Sequence, residues 1–371
     1  MNNPNNHTHQ AQYRFAAIKR WHAPKFSLWK RALAWPYLTA AGQTVCWGRS
    51  NNTDAATIVW GSATLDNLAA SKVFRMEDGF IHSLGLGSDL SPPCSQVIDA
   101  TGVYFDSQNN NDLFELLNQH EFDEVLLSRA TNLRLMIVTA GITKYNLGRK
   151  APSWQSKKNQ RVILVVGQVA DDASVRLGTT GALNSIDALL AQVWLENTDA
   201  LIVYKPHPDV LSGNRLGLVA ANNNCHIVDA ESDIISLIER VDEVHTLSSL
   251  AGFDALLRGK KVVTYGLPFY AGWGLTVDKI LAIPHRSRKV TLDALVAATL
   301  ILYPIYWDWD LQQLTTPEAI VNKLASHVNR PLVAKPLYKR LLLKSWRWCS
   351  NLIKLAGLHI KQFSQNYFKK K

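Results

Sequence analysis

A continuous apolar run, RVILVVG at Arg161–Gly167, is the feature that most constrains the fold. After the arginine the apolar residues do not alternate with polar ones, which is typical of a β-strand buried on both faces of a parallel sheet. The segments that follow alternate between helix-like and strand-like patterns: NSIDALLAQVWLE, ALIVYK, DIISLIERV, EVHTL, LAGFDALLRG and KVVTYG. This βαβαβ period predicts a Rossmann-like α/β domain over residues 160–330.

The first half of the chain has a similar pattern. From about Phe15 to Lys144, short apolar strands such as TIVWG (Thr57–Gly61) and EVLLS (Glu124–Ser128) alternate with helical stretches, which predicts a second Rossmann-like domain over residues 1–150. The polar stretch Asn146–Gln160 is typical of a linker. A length of 371 residues also favours two domains over one. Neither half has a GxGxxG or GxxxxGK[ST] motif, so the fold class we expect is α/β with GT-B glycosyltransferase architecture and an active site in the cleft.

The net charge of +10 lies entirely in a C-terminal tail, residues 335–371, which contains ten Lys/Arg and no Asp/Glu. Its cations are interleaved with apolar residues: Leu341, Leu342, Trp346, Trp348, Leu352, Ile353, Leu355 and Phe368. This composition predicts a basic amphipathic helix lying on an anionic membrane surface. The alternative is a helix packed on its own domain with a solvated basic face. The body of the chain has no charge excess, so we expect no nucleic-acid partner.

Composition also bears on the compartment. The four cysteines, Cys46, Cys94, Cys225 and Cys349, have the spacing of neither a disulfide framework nor a zinc site. The polar N-terminus does not have the pattern of a signal peptide, and the longest apolar run, Ala294–Trp307, contains Pro304. We therefore expect a cytoplasmic protein that is peripherally associated with the inner face of a bacterial inner membrane.

Two polar motifs follow predicted strands of the second half. In YKPHPDV, Lys205 and His207 stand beside two prolines that restrict the backbone, an arrangement suited to holding a phosphate. In HTLSSLAGF, Ser248 and Ser249 stand where a helix begins, and their hydroxyls together with the helix N–H groups could bind an anion. The alternatives are a structural Pro-His-Pro turn and an ordinary serine cap.

Two acidic motifs follow strands as well. GQVADDASV places Gln168, Asp171 and Asp172 beyond the first strand of the second half. Adjacent side chains point in different directions, so we expect one aspartate to face the cleft and the other to cap the following turn. In RMEDGFIHSLGLG, Glu77 and Asp78 end a strand, and the glycines let the backbone approach a ligand: Gly79, Gly85 and Gly87. Acids from both halves suit glycosyl transfer, although each could be an ordinary turn residue.

The motifs together resemble the KpsC-like capsule polysaccharide family, the bacterial β-Kdo glycosyltransferases. The stretches that carry the resemblance occur in the family's order between about Trp60 and Trp307: EDGFIHSLGLG, GVYFD, GQVADDAS, YKPHPDV, SSLAGFDALLRGKKVVTYGLPFYAGWGLTVD and LILYPIY. KPHP is also similar to the His-Pro motif of CMP-sugar-dependent GT-B transferases.

The resemblance implies roles for individual residues. Asp172 would be the nucleophile that attacks C2 of Kdo, and Glu77 would be the acid/base partner. His207, Lys205, Ser248 and Ser249 would hold CMP. Further residues would contribute to substrate binding: Gln168, Asp171, Asp78, Gly79, and the Tyr270, Gly272, Trp273 and Gly274 of FYAGWG. Tyr270 and Trp273 could equally be core aromatics.

The chain departs from the family at two positions: His82 stands where arginine is usual, and Ile305 replaces a basic residue. KpsC-type proteins usually carry two modules, forming β-2,4 and β-2,7 Kdo linkages; this chain has room for one, and GQVADDAS resembles the second. No Asp-x-Asp stands where a diphosphate-sugar metal site would need it, so we expect neither metal nor cofactor.

The expected function is retaining transfer of Kdo from CMP-Kdo to a Kdo-containing or lipid-linked glycan acceptor, with other capsule-assembly proteins as further partners. The alternatives are a non-catalytic export or scaffold protein and a transferase for another CMP-sugar, such as CMP-sialic acid.

Overall fold

The computed structural model describes residues 14–48, 55–65, 73–179, 183–211, 213, 224–280, 283–332 and 337–368. Internal contacts divide the chain into two compact units. Unit 1 contains Met1–Val103, Leu300–Ile320 and Ala334–Lys371, and unit 2 contains Tyr104–Thr299 and Val321–Val333.

Each unit contains one β-sheet with helices. The strands are, in chain order, β1 (Arg20–His22), β2 (Thr44–Cys46), β3 (Ala56–Trp60), β4 (Val73–Asp78), β5 (Ser95–Asp99), β6 (Val162–Val166), β7 (Leu201–Lys205), β8 (Ile227–Val228), β9 (Glu243–Thr246), β10 (Lys261–Thr264), β11 (Val277–Asp278), β12 (Pro304–Asp308) and β13 (Gln313–Thr315). The α-helices are α1 (Leu28–Leu38), α2 (Asp112–Gln119), α3 (Glu124–Ala140), α4 (Ala173–Gly178), α5 (Ile186–Glu196), α6 (Pro208–Leu211), α7 (Ile234–Arg240), α8 (Leu250–Leu257), α9 (Leu292–Val296), α10 (Pro317–Val328) and α11 (Leu337–Phe368). A 3₁₀ turn covers Gly87–Asp89, and a π-helical segment, Ala297–Leu302, follows α9.

The sheet of unit 1 has seven strands in the order β13-β12-β5-β4-β3-β1-β2. Strands β1 to β4 pair in parallel, whereas β5, β12 and β13 are antiparallel additions. Its core is rich in aromatic residues, with the Trp21 and Phe74 rings in an edge-to-face contact at 5.2 Å between centroids. This half is therefore a mixed sheet, because β5 runs antiparallel to β4 and the chain returns from unit 2 to add β12 antiparallel to β5.

The sheet of unit 2 has six strands in the order β11-β10-β9-β6-β7-β8, and every pairing is parallel. Every residue of β6, β7 and β9 is buried, which confirms the burial that the continuous apolar run predicted for β6. Side-chain caps start the helices at their predicted places: Ser185 accepts from the Ala188 amide before α5, and Asp233 accepts from the Ile235 and Ser236 amides before α7. The predicted strand Thr57–Gly61 is likewise confirmed as β3.

The predicted strand at Glu124–Ser128 is wrong, because these residues form the start of α3. Asp123 Oδ1 accepts a hydrogen bond from the Leu126 amide at 2.8 Å and caps the helix. The buried residues of α3 recur at spacings of three and four, the period of one helix face; they are Leu126, Ala130, Leu133 and Ile137.

The units also differ from the predicted domains 1–150 and 160–330. Helices α2 and α3 belong to unit 2, where Arg134 of α3 pairs with Asp293 of α9 at 3.0 Å. The predicted linker 146–160 is irregular, yet it also packs on unit 2, since Arg149 Nη1 lies 2.9 Å from Asp233 Oδ1. The change of unit occurs at Val103/Tyr104 instead.

Helix α11 packs by one face on unit 1. It contacts α1, and Leu355, only 7% exposed, joins the unit 1 core. Arg340 Nη2 donates to Asp89 Oδ1 at 2.8 Å, and Arg347 Nη1 donates to the Asp89 carbonyl at 2.8 Å. One face of the tail thus matches the alternative interpretation, a helix packed on its own domain, while membrane contact stays a prediction. Lys335 and the final lysines, 369–371, lie outside the described residues.

Candidate functional site

Three loops of unit 2 lie side by side because they follow adjacent parallel strands. Strand β6 lies between β9 and β7, so the residues after Val166, Lys205 and Thr246 emerge at the same edge of the sheet. Gly167 allows the first two loops to meet: a Cβ atom there would lie 2.9 Å from the Lys205 carbonyl oxygen and 3.1 Å from the His207 amide nitrogen. Ligands of parallel α/β sheets bind at this edge.

Gln168 connects the loop after β6 to the loop after β9. Its Oε1 accepts from the Ser248 amide at 2.9 Å, and its Nε2 donates to Ser248 Oγ at 3.1 Å. Ser248 Oγ in turn donates to the Ser174 carbonyl at 2.8 Å. Ser249 is the N-cap of α8, and its Oγ accepts from the Ala251 amide. Gln168, which sequence reasoning treated only as a substrate contact, therefore fixes Ser248 in place.

The aspartate that caps the following helix is Asp172. Its Oδ1 accepts from the Ser174 amide at 2.9 Å at the start of α4, whereas Asp171 is exposed in the preceding turn. If Asp172 is the nucleophile, as the resemblance implies, the sequence prediction assigns the cap to Asp171. This assignment is wrong, because Asp172 is the residue directly before the helix and makes the cap. The cap uses one carboxylate oxygen of Asp172, and Oδ2 is not part of it.

The tautomer of His207 follows from its neighbour. The amide of Asp209, in the first turn of α6, donates to His207 Nδ1 at 3.1 Å. A neutral imidazole that accepts at Nδ1 carries its proton on Nε2. His207 can therefore donate a hydrogen bond from Nε2, as a phosphate-binding histidine must.

Lys205 is buried, and its ammonium donates to the Ala230 carbonyl at 2.9 Å. Burial lowers the pKa of Lys205 to about 8, although Asp229, Asp233 and Glu231 favour its charged form. The turn that it contacts is held by Asp229, which accepts from Trp154 Nε1 at 2.8 Å and from Ser232 Oγ at 2.7 Å. Sequence reasoning missed Asp229 and Trp154, because they lie far from the KPHP motif in the chain.

The two aromatic residues of FYAGWG belong to the core. Tyr270 and Trp273 are 0% exposed, which leaves no ring surface for a ligand and corrects their assignment to substrate binding. Tyr270 donates its hydroxyl proton to the Ser249 carbonyl, so it supports the predicted phosphate loop indirectly. Gly272 and Gly274 adopt left-handed backbone conformations, with φ of 83° and 82°, and the Gly272 amide donates to Asp278 Oδ2 at 2.9 Å.

In unit 1, Glu77 and Asp78 are the last residues of β4, as predicted. Glu77 Oε1 accepts from the Asp78 amide at 2.9 Å, and a Cβ atom at Gly61 would lie 3.0 Å from Glu77 Oε2. The backbone at position 79 lies so close to Ser95 that only glycine fits, since a Cβ atom there would lie 2.3 Å from Ser95 Oγ.

Lys30 of α1 is a cation beside these acids that sequence reasoning missed. Its Nζ lies 3.6 Å from the centroid of the Trp60 ring. Burial lowers the pKa of Lys30, while the nearby Glu77 and Asp78 oppose the shift. Only the packing of α1 near β4 shows this proximity, because the helical pattern around Lys30 gives no sign of it.

The two departures from the family pattern are both buried. His82 Nε2 lies 2.9 Å from Asp78 Oδ1, so the histidine contacts the acidic pair. Ile305 packs in the core of unit 1, opposite Gln96. Among the described residues no group of three or more His, Cys, Asp and Glu could hold a metal ion. Within the same ranges, no helix combines the length and apolarity needed to cross a membrane.

Comparison with known proteins identifies relatives. Residues 129–306 match the family described as capsule polysaccharide biosynthesis protein. The capsule polysaccharide modification protein LipA of Neisseria meningitidis serogroup A is 43% identical over 299 residues, which cover 76% of this chain and 42% of LipA. The chain thus spans less than half the length of that relative.

Two solved structures of Thermosulfurimonas dismutans KpsC are similar over most of their length. The β-Kdo 2,7 transferase is 35% identical with a TM-score of 0.68, covering 83% of this chain and 99% of that one. The β-Kdo 2,4 transferase is 28% identical with a TM-score of 0.74, covering 82% of this chain and 97% of that one. The predicted fold class, α/β of the GT-B kind, is confirmed by these matches.

Proposed function

Because the chain belongs to the KpsC-like capsule polysaccharide biosynthesis family, we propose that it is a retaining β-Kdo glycosyltransferase. It transfers Kdo from CMP-Kdo to a Kdo-containing or lipid-linked surface-glycan acceptor. We place it at the inner face of the bacterial inner membrane, with other capsule-assembly proteins as further partners.

The observation that carries this proposal is the meeting of three polar loops at the carboxyl edge of the unit 2 sheet. Gln168 and Ser248 bind each other, and Gly167 packs against the backbone that precedes His207. The Ser248, Ser249 and Ala251 amides at the start of α8 already donate within the protein, and Ser248 Oγ donates to the Ser174 carbonyl. The Ser249 hydroxyl and the His207 Nε2–H are therefore the groups that hold the phosphate. They would bind the CMP phosphate in the ground state and stabilise its charge as it leaves.

Two successive displacements account for retention of the anomeric configuration. In the first, the Asp172 carboxylate attacks C2 of Kdo, the bond between C2 and the phosphate oxygen breaks, and CMP leaves with the electron pair. In the second, an acceptor hydroxyl attacks C2, its proton passes to Glu77, and the Asp172 carboxylate is released. The cap geometry suits Asp172 to this role, since the Ser174 amide fixes the carboxylate through Oδ1.

A transfer assay with two donors tests the proposal. The full chain is incubated with CMP-Kdo or CMP-sialic acid and a synthetic Kdo-terminated acceptor, and the products are analysed by mass spectrometry. We expect the acceptor to gain one Kdo and no sialic acid. A product with sialic acid would show that the enzyme uses CMP-sialic acid as its donor. The absence of transfer from both donors would favour the non-catalytic scaffold.

A further inference from the structure

Helix α11 has its charged and apolar residues arranged in the reverse of a soluble surface helix. At about 100° per residue, the five charged residues between 338 and 358 fall on the side of the helix that includes its contact with unit 1; they are Lys339, Arg340, Lys344, Arg347 and Lys354. The remaining arc of about 220° carries no charged residue between the same limits. A helix that packed only on its own domain would turn its apolar arc inward.

The outward arc is both large and exposed. Six large apolar side chains on it are open to solvent: Tyr338, Leu341, Leu342, Trp346, Trp348 and Ile353. The inward side is occupied, since Asn351 and Leu355 are buried and Arg347 contacts Ser91 Oγ at 3.0 Å. The exposed residues therefore form one continuous strip along the helix, and contiguous apolar surface of this kind marks an interaction site.

We propose that this strip, the outward face of α11, is a membrane-binding surface that lies in the headgroup region of an anionic bilayer. Tryptophan and tyrosine favour the membrane–water interface. Lys339 borders the strip and is exposed, so its aliphatic stem can lie along the bilayer while its ammonium group reaches the lipid phosphates.

Charge favours a bilayer over a second copy of the chain as the occupant. The segment from residue 335 to 371 has ten cations and no acid, so two copies meeting through this face would bring like charges together. Anionic lipids supply the missing counter-charge. The inference does not depend on the proposed chemistry.

The docked side of α11 connects this surface to the candidate acids of unit 1. Arg340 binds Asp89 at 2.8 Å, and nearby in the same loop a Cβ atom at Gly87 would lie 3.5 Å from His82 Cε1 and 3.7 Å from Asp78 Oδ2. Binding of α11 to a bilayer would therefore hold the loop beside Asp78 near the lipid surface.

Flotation of the full chain with vesicles tests the proposal. We expect binding to phosphatidylcholine vesicles containing phosphatidylglycerol and at least about tenfold weaker binding to phosphatidylcholine alone. The double variant Leu342→Ser/Ile353→Ser should bind the anionic vesicles at least about tenfold more weakly, and Trp346→Ser should weaken binding in the same direction. The melting temperature without lipid should not fall, because these side chains are 67%, 73% and 66% exposed.

The matched control is Val125→Ser/Leu195→Ser, which removes apolar side chains of similar exposure, 64% and 73%, from unit 2. It should bind vesicles as the unaltered chain does. Three results would overturn the proposal: no vesicle binding by the unaltered chain, equal loss in the control, or a dimer in solution that the Leu342→Ser/Ile353→Ser change converts to a monomer. The last result would assign the surface to a second copy.

Discussion

His207 is the residue whose proposed role depends most on which nitrogen carries the proton. The hydrogen bond from the Asp209 amide to Nδ1 assigns the donor to Nε2. Glutamine places an amide near the position of Nε2, whereas asparagine places one near Nδ1. The two substitutions therefore separate phosphate binding from support of the turn.

We predict that His207→Asn weakens CMP binding about tenfold or more, because a hydrogen bond to a charged group contributes about 1.5–3 kcal/mol. His207→Gln should recover part of this loss. Isothermal titration calorimetry with CMP measures both. Equal affinity of His207→Asn and the unaltered chain would remove His207 from the phosphate site.

The lowered pKa of Lys205 predicts that the affinity for CMP depends on pH. Burial lowers the pKa of Lys205 to about 8, so the free protein loses this proton as the pH rises through that value. We expect CMP to bind the protonated form better, so its affinity should fall above pH 8, by up to about tenfold per pH unit. In Lys205→Met the decline should disappear. Calorimetric titrations between pH 7 and 9.5 test this; the same slope in both proteins would assign it to another group.

At the scale of elements, sequence patterns predicted strands and helices well where burial was uniform. The fully buried β6 and β7, and the capped α5 and α7, lie where their patterns placed them. The prediction of a strand at Glu124–Ser128 was wrong because a short apolar run fits a strand and a helix equally. Its identity depended on the Asp123 cap and on buried residues as far along as Ile137.

The junction of β6 and β7 supplies a prediction about packing. A Cβ atom at Gly167 would lie 2.7 Å from Tyr204 Oη and 2.9 Å from the Lys205 carbonyl oxygen. Gly167→Ala should therefore displace the KPHP loop, destabilise unit 2 by about 1–3 kcal/mol and weaken CMP binding. Gly357→Ala is the control, because its Cβ atom would meet no heavy atom within 4 Å. Thermal melting and calorimetry measure the two effects; a Gly167→Ala protein equal to the control would contradict the close approach.

The ion pair that attaches α11 to unit 1 leads to a prediction about the stability of this helix. The Arg340 and Asp89 side chains are 12% and 17% exposed, so Asp89→Asn should lower the free energy of opening of α11 by about 1–3 kcal/mol. Hydrogen exchange of amides 338–358 measures that free energy. In the control, Glu231→Gln, the Lys150 pair is exposed at 49% and 77%, and stability should change by less than about 1 kcal/mol. Unchanged exchange in Asp89→Asn would show that the ion pair does not hold the helix.

At the scale of the molecule, the two-sheet α/β organisation was predictable, but the route of the chain was not. Pro304 of β12 pairs with Val97 of β5, more than two hundred residues earlier, and local periodicity carries no information about such a partner. The same limit applies to the site. The motifs predicted Asp172, His207 and Ser248 as site residues, whereas the support from Asp229 and the burial of Tyr270 depend on tertiary packing.

Mass spectrometry of the full chain after incubation with CMP-Kdo, without acceptor, tests whether a covalent Kdo adduct forms on Asp172. A retaining double displacement with Asp172 as nucleophile predicts that the chain gains the mass of one Kdo residue, that peptide mapping places it on Asp172, and that added acceptor removes it. Asp172→Asn, which can still cap α4, should form neither adduct nor product, while Asp171→Asn should form both. Transfer by Asp172→Asn at the rate of the unaltered chain, or a Kdo adduct on a different residue, would contradict the account.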